Sequence, residues 1–232
     1  TGHSCTSNQS GPVRSGEPYM HRFFSTDMPG TRFLWNVLIF SLAGLLPVLL
    51  LYVFLSPGFF SVLIEGGPAL RRFLRQVLTN GLPVVFVTNY VGFFLFALSQ
   101  EAPANKRDPA LYLVLDLPVR VLLFLFLHAL IYVISADWFD SFGGSRATAL
   151  RVVAPTLARS ALFENISGVY LYATLVSALP LYVSAVGTSR HLWPLVRRIP
   201  LGLGAVMIAG IWFLLAVSFL TASARLIVYL QN

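Results

Sequence analysis

Residues 33–55, 82–98, 110–134 and 201–230 are apolar runs of the length that crosses a bilayer, which takes about twenty apolar residues in a helix. Inside lipid every backbone N–H and C=O must be satisfied within the segment, so such runs fold as helices. The chain as a whole is 56% hydrophobic and 11% charged, with a mean hydropathy of +0.75. Soluble domains carry about 45–50% apolar and 25% charged residues. These values exclude an ordinary cytosolic enzyme, a disordered tail and a disulfide-stapled secreted module. The expectation is an all-α integral membrane protein of five to six helices, with a polar N-terminal extension over 1–32 and one membrane domain over 33–232. Cys5 is the only cysteine, which excludes a cysteine-based zinc or iron–sulfur site and an intrachain disulfide.

The net charge is +7, yet the basic residues are spread over the N-terminus and the connections between spans. No basic run or aromatic RNA-binding motif accompanies them, so nucleic acid is not an expected partner. Arginines flanking apolar spans are membrane-edge anchors. The extension over 1–32 has no apolar stretch of the secretory type. It opens at Thr1 and carries Arg14, Arg22 and Arg32 among Ser and Thr, a pattern expected of an organelle-targeted precursor after processing.

Between the first two spans, Leu70, Phe73, Leu74, Val77 and Leu78 recur at helical spacing opposite Arg71, Arg72 and Arg75. This predicts an amphipathic helix lying near the interface. Residues 145–186 read as one long helix whose first half carries Arg146, Arg151, Arg159 and Glu164. The final run, 201–230, is interrupted by Thr221, Ser223 and Arg225. Thirty helical residues span about 45 Å, so both C-terminal helices are expected to be strongly tilted or packed on protein.

Ionisable groups within apolar spans are costly and mark candidate functional positions. Here they are Asp116, Arg120, His128, Arg159, Glu164 and Arg225. Asp116 and Arg120 stand four apart, which pairs them on one helix face as a self-neutralising couple near one interface. His128 has no second intramembrane histidine, which disfavours bis-histidine haem and leaves a packing or proton-path role. Asn89 and Asn165 can hydrogen-bond between helices, with Gly92 and Gly168 permitting close approach. No metal site is expected, and no phosphate-binding Gly-x-x-x-x-Gly-Lys-[Ser/Thr] loop is present.

The order of segments resembles subunit a of the rotary F-type ATP synthases. Thr88-Asn89-Tyr90-Val91-Gly92 is similar to that family's Thr-Asn-x-x-Gly segment. Leu115-Asp116-Leu117-Pro118 matches its Pro-bearing span, and residues 155–168 resemble its rotor-facing helix. The ending at Ile227-Val228-Tyr229-Leu230 is similar to the family's tail. Arg159 stands six residues before Asn165, where the family's arginine stands four before its Asn and this chain has Ala161. On one continuous helix six residues place the two side chains about 120° apart. The family's last-helix acid is absent, and Glu164 is its candidate substitute.

The resemblance implies a proton-translocating stator subunit with two half-channels and no catalytic site or cofactor of its own. Arg159 would face a rotor ring whose small subunits each carry a carboxylate. A guanidinium suits that role, because it keeps its charge when partly desolvated and favours the deprotonated form of an arriving acid. Glu164, Asn165, Tyr170, Asp116 and His128 would line the proton path, and Asn89, Gly92 and Gly168 would serve helix packing. The implied partners are the ring, the peripheral stalk and other synthase subunits, in the mitochondrial inner membrane or a bacterial plasma membrane. Two further readings stay open: a structural membrane subunit of a respiratory or photosynthetic complex, and a small transporter or channel.

Overall fold

The computed structural model describes residues 19–64, 66–101, 108–134, 145–199 and 203–231. Residues 1–18, with Cys5 and most of the N-terminal extension, lie outside them. After a short 3-10 turn at Tyr19–Arg22, the chain forms α1 (Gly30–Leu55), α2 (Phe59–Ile64) and α3 (Pro68–Gln76). Then come α4 (Leu82–Glu101), α5 (Ala110–Ile134), α6 (Arg146–Ala161), α7 (Ile166–Thr188), α8 (Trp193–Val196) and α9 (Leu203–Gln231). Among the described residues, five stretches are long and apolar enough to cross a membrane: Gly30–Leu55, Pro68–Gln100, Ala110–Tyr132, Ile166–Thr188 and Leu203–Leu230. The protein is an all-α, multi-pass membrane fold.

The amphipathic segment forms α3, started by Pro68 in the first turn, where a missing N–H costs nothing. Phe73 is buried while Arg71, Arg72 and Arg75 are exposed. A π-helical turn at Val77–Gly81 then carries the helix directly into α4. The amphipathic helix and the second span are therefore one helical body. The extra residue per turn rotates the arginine face of α3 relative to the buried face of α4.

The long helix expected over 145–186 is two helices. α6 ends at Ala161, and Phe163 takes a left-handed backbone with φ 61°. Asn165 then caps α7 with its side chain, accepting from the Gly168 N–H at 3.1 Å. The same amide donates to Thr156 O at 3.1 Å and accepts from the Ser160 hydroxyl at 3.0 Å. Asn is among the best N-caps, and here it also bonds the backbone of the helix it leaves. A 120° offset between Arg159 and Asn165 on one helix therefore has no meaning here.

Two apolar clusters divide the bundle along its length. One holds Leu45, Val48, Val84, Phe124, Leu157, Val169 and Ala224; the other holds Phe33, Val37, Phe93, Leu113, Leu181, Val186 and Ala209. Early residues of α1, α5 and α9 and late residues of α4 and α7 belong to the second cluster, so successive spans run in opposite directions. α6 contributes only to the first cluster, which places it in one half of the bundle. The central span is α7, touching α1, α4, α5, α6 and α9. Its Gly168, Ala173, Thr174, Ser177, Ala178 and Ala185 are all buried, and such small side chains let neighbouring backbones approach.

Candidate functional site

Between the two clusters each of four spans contributes polar side chains: Ser41 from α1, Thr88 and Asn89 from α4, Asp116 and Arg120 from α5, and Thr174 and Ser177 from α7. All are buried. The centre of this layer is Arg120, which is fully buried. Its Nε donates to Asp116 Oδ2 and its Nη1 donates to Asn89 Oδ1. Nη1 also donates to the Thr174 carbonyl at 3.1 Å. Asp116 Oδ2 accepts in addition from the Tyr182 hydroxyl at 2.7 Å, and Asn89 Nδ2 donates to Ser41 Oγ at 2.9 Å. The Phe93 ring lies 5.2 Å from the guanidinium carbon, within cation–π range.

One charge pair thus ties four spans together. The expected pairing of Asp116 with Arg120 forms, but it lies deeper than an interface, with apolar clusters on both sides. A lone buried charge is prohibitive, whereas a paired and hydrogen-bonded one is tolerated. Gly92 is what lets α4 close on it: a Cβ there would run into the Arg120 guanidinium and come 2.7 Å from Asp116 Oδ1. Among the described residues, Asp116 Oδ1, Arg120 Nη2 and the Tyr112 hydroxyl are buried without a hydrogen-bond partner.

A longer pattern runs through the pair. Tyr112, Asp116, Arg120, Phe124, His128 and Tyr132 recur every fourth residue along α5, a stripe that winds about 40° round the helix at each step. The first five are buried. Tyr112 packs on Tyr182 with ring centroids 5.9 Å apart. His128 Nδ1 lies 3.3 Å from Phe124 O, and its ring stacks on Tyr170 at 6.0 Å. Tyr132 and Ser167 pair their hydroxyls at 3.2 Å. The seam between α5 and α7 is therefore polar over almost its whole length, interrupted at Phe124. Sequence reasoning found Asp116 and Arg120 as a pair and His128 singly, and missed Tyr112, Tyr132, Tyr182 and Ser41; the four-residue spacing was the signal for the first two.

At the second-cluster end of the seam, a cavity of about 120 Å³ is lined by Ser99, Asp108, Tyr112 and Leu115, among others. Asp108 accepts from the N–H of Ala110 at 2.8 Å and of His191 at 3.2 Å. Burial pushes its carboxyl up, but these N–H donors, Ser189 and the nearby His191 ring outweigh that and hold it below its ordinary value.

The other expected positions gather elsewhere. Arg159 is in the last turn of α6, exposed, and its side chain has no partner among the described residues. Glu164 is exposed in the link that follows, its N–H donating to Arg159 O at 3.2 Å. Asn165 is the α7 cap, and Gly168 packs so closely on the end of α6 that a Cβ would come 2.5 Å from Ser160 O. The structure brings Asp116, Asn89 and Gly92 into one cluster and His128 and Tyr170 into a second, one turn beyond Phe124. Arg159, Glu164 and Asn165 share no hydrogen bond or ion pair with either cluster among the described residues.

The fold and this layer define a polytopic α-helical membrane protein built around one buried ion pair. No protein-family model, curated protein or solved structure matches the chain.

Proposed function

We propose that this chain is a proton-handling membrane subunit, with Asp116 as the acid that takes up the proton. The observation that carries the reading is the stripe at four-residue spacing along α5, because a merely structural span has no need of four buried titratable side chains. The cavity beside Asp108 and Tyr112 lies at the second-cluster end, and Tyr112 stands one helical turn from Asp116, whose Oδ1 has no hydrogen-bond partner among the described residues. Arg120 stands behind it as a fixed positive charge. It repels a proton moving further inward, and the Phe124 ring adds an apolar gap. His128, Tyr170, Tyr132 and Ser167 form a second polar segment reaching the opposite end. Two half-paths separated by a guanidinium and a phenyl ring prevent leak while each end exchanges protons with its own side.

In the narrower form of the reading, the chain is a stator subunit of an F-type ATP synthase in an energy-coupling membrane, mitochondrial or bacterial. What supports this form is the order of sequence segments and the exposed Arg159 on α6, which has no partner among the described residues and is available to a rotor carboxylate. The helix break between Arg159 and Asn165 separates two residues that this form would place on one rotor-facing surface.

Proton flux into vesicles, driven by a potassium diffusion potential and read with a pH-sensitive dye, tests the broad form on the chain in its native complex. Tyr112→Phe removes a buried hydroxyl beside the Asp116–Arg120 pair and is expected to slow flux several-fold while the complex stays assembled. Asp116→Asn is expected to abolish it. Full flux in an assembled Asp116→Asn complex overturns the proposal. Migration of the mildly solubilised chain on a native gel tests the narrow form: it requires co-migration with a rotor ring and nucleotide-binding subunits.

A further inference from the structure

Between the first two spans, α3 gathers three arginines in one arc. At about 100° per residue, Arg71, Arg72 and Arg75 fall within about 100° of one another round the helix, opposite the buried Phe73. All three are exposed. Arg72 Nε reaches the Pro68 carbonyl of its own helix at 3.4 Å, and among the described residues no ion pair involves any of the three. The sequence has no acid from Gly66 to Gln100, so nothing along this helical body offsets their charge. Like charges three and four residues apart on a helix repel, and an external anion relieves that repulsion. The exposed arginines at the other end are arranged differently. Arg190 is in the turn after α7, and Arg197 and Arg198 follow the four-residue α8, so no helix face gathers them.

The height of α3 in the membrane is fixed by its neighbours. Phe73 packs on Phe59 of α2 with ring centroids 5.2 Å apart, and the π-helical turn joins α3 directly to α4. The 20 residues of α4 rise about 30 Å, which is about the thickness of the hydrocarbon core. This puts α3 at the level of the headgroups. One flank of the arginine arc is apolar and open: Leu74 is 46% exposed and Leu78 61%. A soluble acidic protein docking from the water would leave that flank uncovered. A lipid meets both parts, the arginines with its phosphate and the leucines with its acyl chains.

We infer that the α3 face binds anionic glycerophospholipids, with phosphate oxygens held by Arg71, Arg72 and Arg75 and acyl chains lying against Leu74 and Leu78. Arginine suits the headgroup because its planar fork bonds phosphate in two places. The face is then a lipid-selective anchor at one end of the second span. The inference is independent of proton handling and goes beyond it, since none of these residues belongs to the α5 seam.

The test is native mass spectrometry of the full chain in mild detergent, titrated with dioleoyl phosphatidylglycerol or dioleoyl phosphatidylcholine. One arginine at a membrane surface strengthens the attraction to anionic lipid about fivefold, and three about a hundredfold. The parent is expected to retain the anionic lipid in preference, and Arg71→Gln/Arg72→Gln/Arg75→Gln to lose most of that preference. Arg190→Gln/Arg197→Gln/Arg198→Gln removes the same charge at the other end and is expected to keep most of it. Equal retention of the two lipids by the parent overturns the inference and leaves the face to an acidic partner chain. An unchanged preference in the α3 variant overturns it too, as does an equal fall in both triple variants, which would report net charge alone. If the α3 triple variant fails to fold, Arg71→Gln decides the matter: about a fivefold fall supports the inference and no fall overturns it.

Discussion

The Tyr182 hydroxyl donates to Asp116 Oδ2 at 2.7 Å, on the same oxygen that receives Arg120 Nε. The fourth span is therefore pinned to the third through the carboxylate that neutralises the buried guanidinium. Tyr182→Phe leaves the ring packing and removes one charge-assisted hydrogen bond, worth about 1.5–3 kcal/mol. It is expected to lower the thermal unfolding midpoint in detergent without loss of helix content. Stability equal to the parent would mean that this bond contributes nothing.

Removing one partner of the ion pair is a larger perturbation. Asp116→Leu leaves Arg120 buried with only Asn89 and a backbone carbonyl, and is expected to cost about 3–5 kcal/mol. Asp116→Leu/Arg120→Met removes both charges and is expected to recover most of that loss, because well-packed apolar replacements of buried pairs are often neutral or stabilising. A double-mutant cycle on chemical unfolding reads the coupling. A double variant as unstable as the single one would show that shape, rather than charge, holds this layer.

Asn89 and Ser41 were within reach of the sequence as polar residues in apolar spans, yet their partners were not. The Asn89–Ser41 bond closes over 48 residues and the Tyr182–Asp116 bond over 66, and no local pattern reports such distances. What was legible was local: span positions, the arginine face of α3, and the i,i+4 relation of Asp116 and Arg120. The break between α6 and α7 escaped for a physical reason. Helix ends are signalled by glycine at the left-handed position, and here Phe163 holds it, its ring packed on Tyr52 and Tyr172 at 5.6 and 5.5 Å. Tertiary contact supplies what the backbone preference withholds, and Leu162-Phe163-Glu164 therefore reads as uninterrupted helix. The π turn at Val77–Gly81 was equally silent, since it changes the phase of a helix without ending it.

The cap at Asn165 gives a sharper expectation than an ordinary helix start. Asn165→Ala loses the Gly168 N–H bond, worth about 1 kcal/mol at a typical cap, and also the amide's bonds to the Thr156 carbonyl and the Ser160 hydroxyl, which then keep their bond to each other at 3.3 Å. The expected loss exceeds that of an isolated cap, and Asn165→Asp restores the bond to Gly168 but not the donation to Thr156 O. Hydrogen exchange at residues 160–168 is the readout. Faster exchange confined to this link in Asn165→Ala, partly reversed in Asn165→Asp, is the expected outcome, and unchanged exchange would rule out the link's dependence on that side chain.

Asp108 supplies a pH dependence outside the membrane spans. Its carboxylate receives the N–H groups of Ala110 and His191, joining the start of α5 to the turn between α7 and α8. These bonds favour the charged form, so the folded group titrates below its ordinary value, about 3.9 when unperturbed. A depressed acid stabilises the fold above its unfolded value and loses that contribution as pH falls through the lower folded value. The difference in stability between the parent and Asp108→Asn should therefore be constant from neutral pH down to about 5. Below that it should shrink as the parent's carboxylate is protonated. Amide exchange at His191 and Ala110 in detergent, compared between the two chains across this range, measures it directly. A difference that stays constant as the pH falls would mean that the carboxylate is stabilised no better in the folded chain than in water, and one that widens that it is stabilised less.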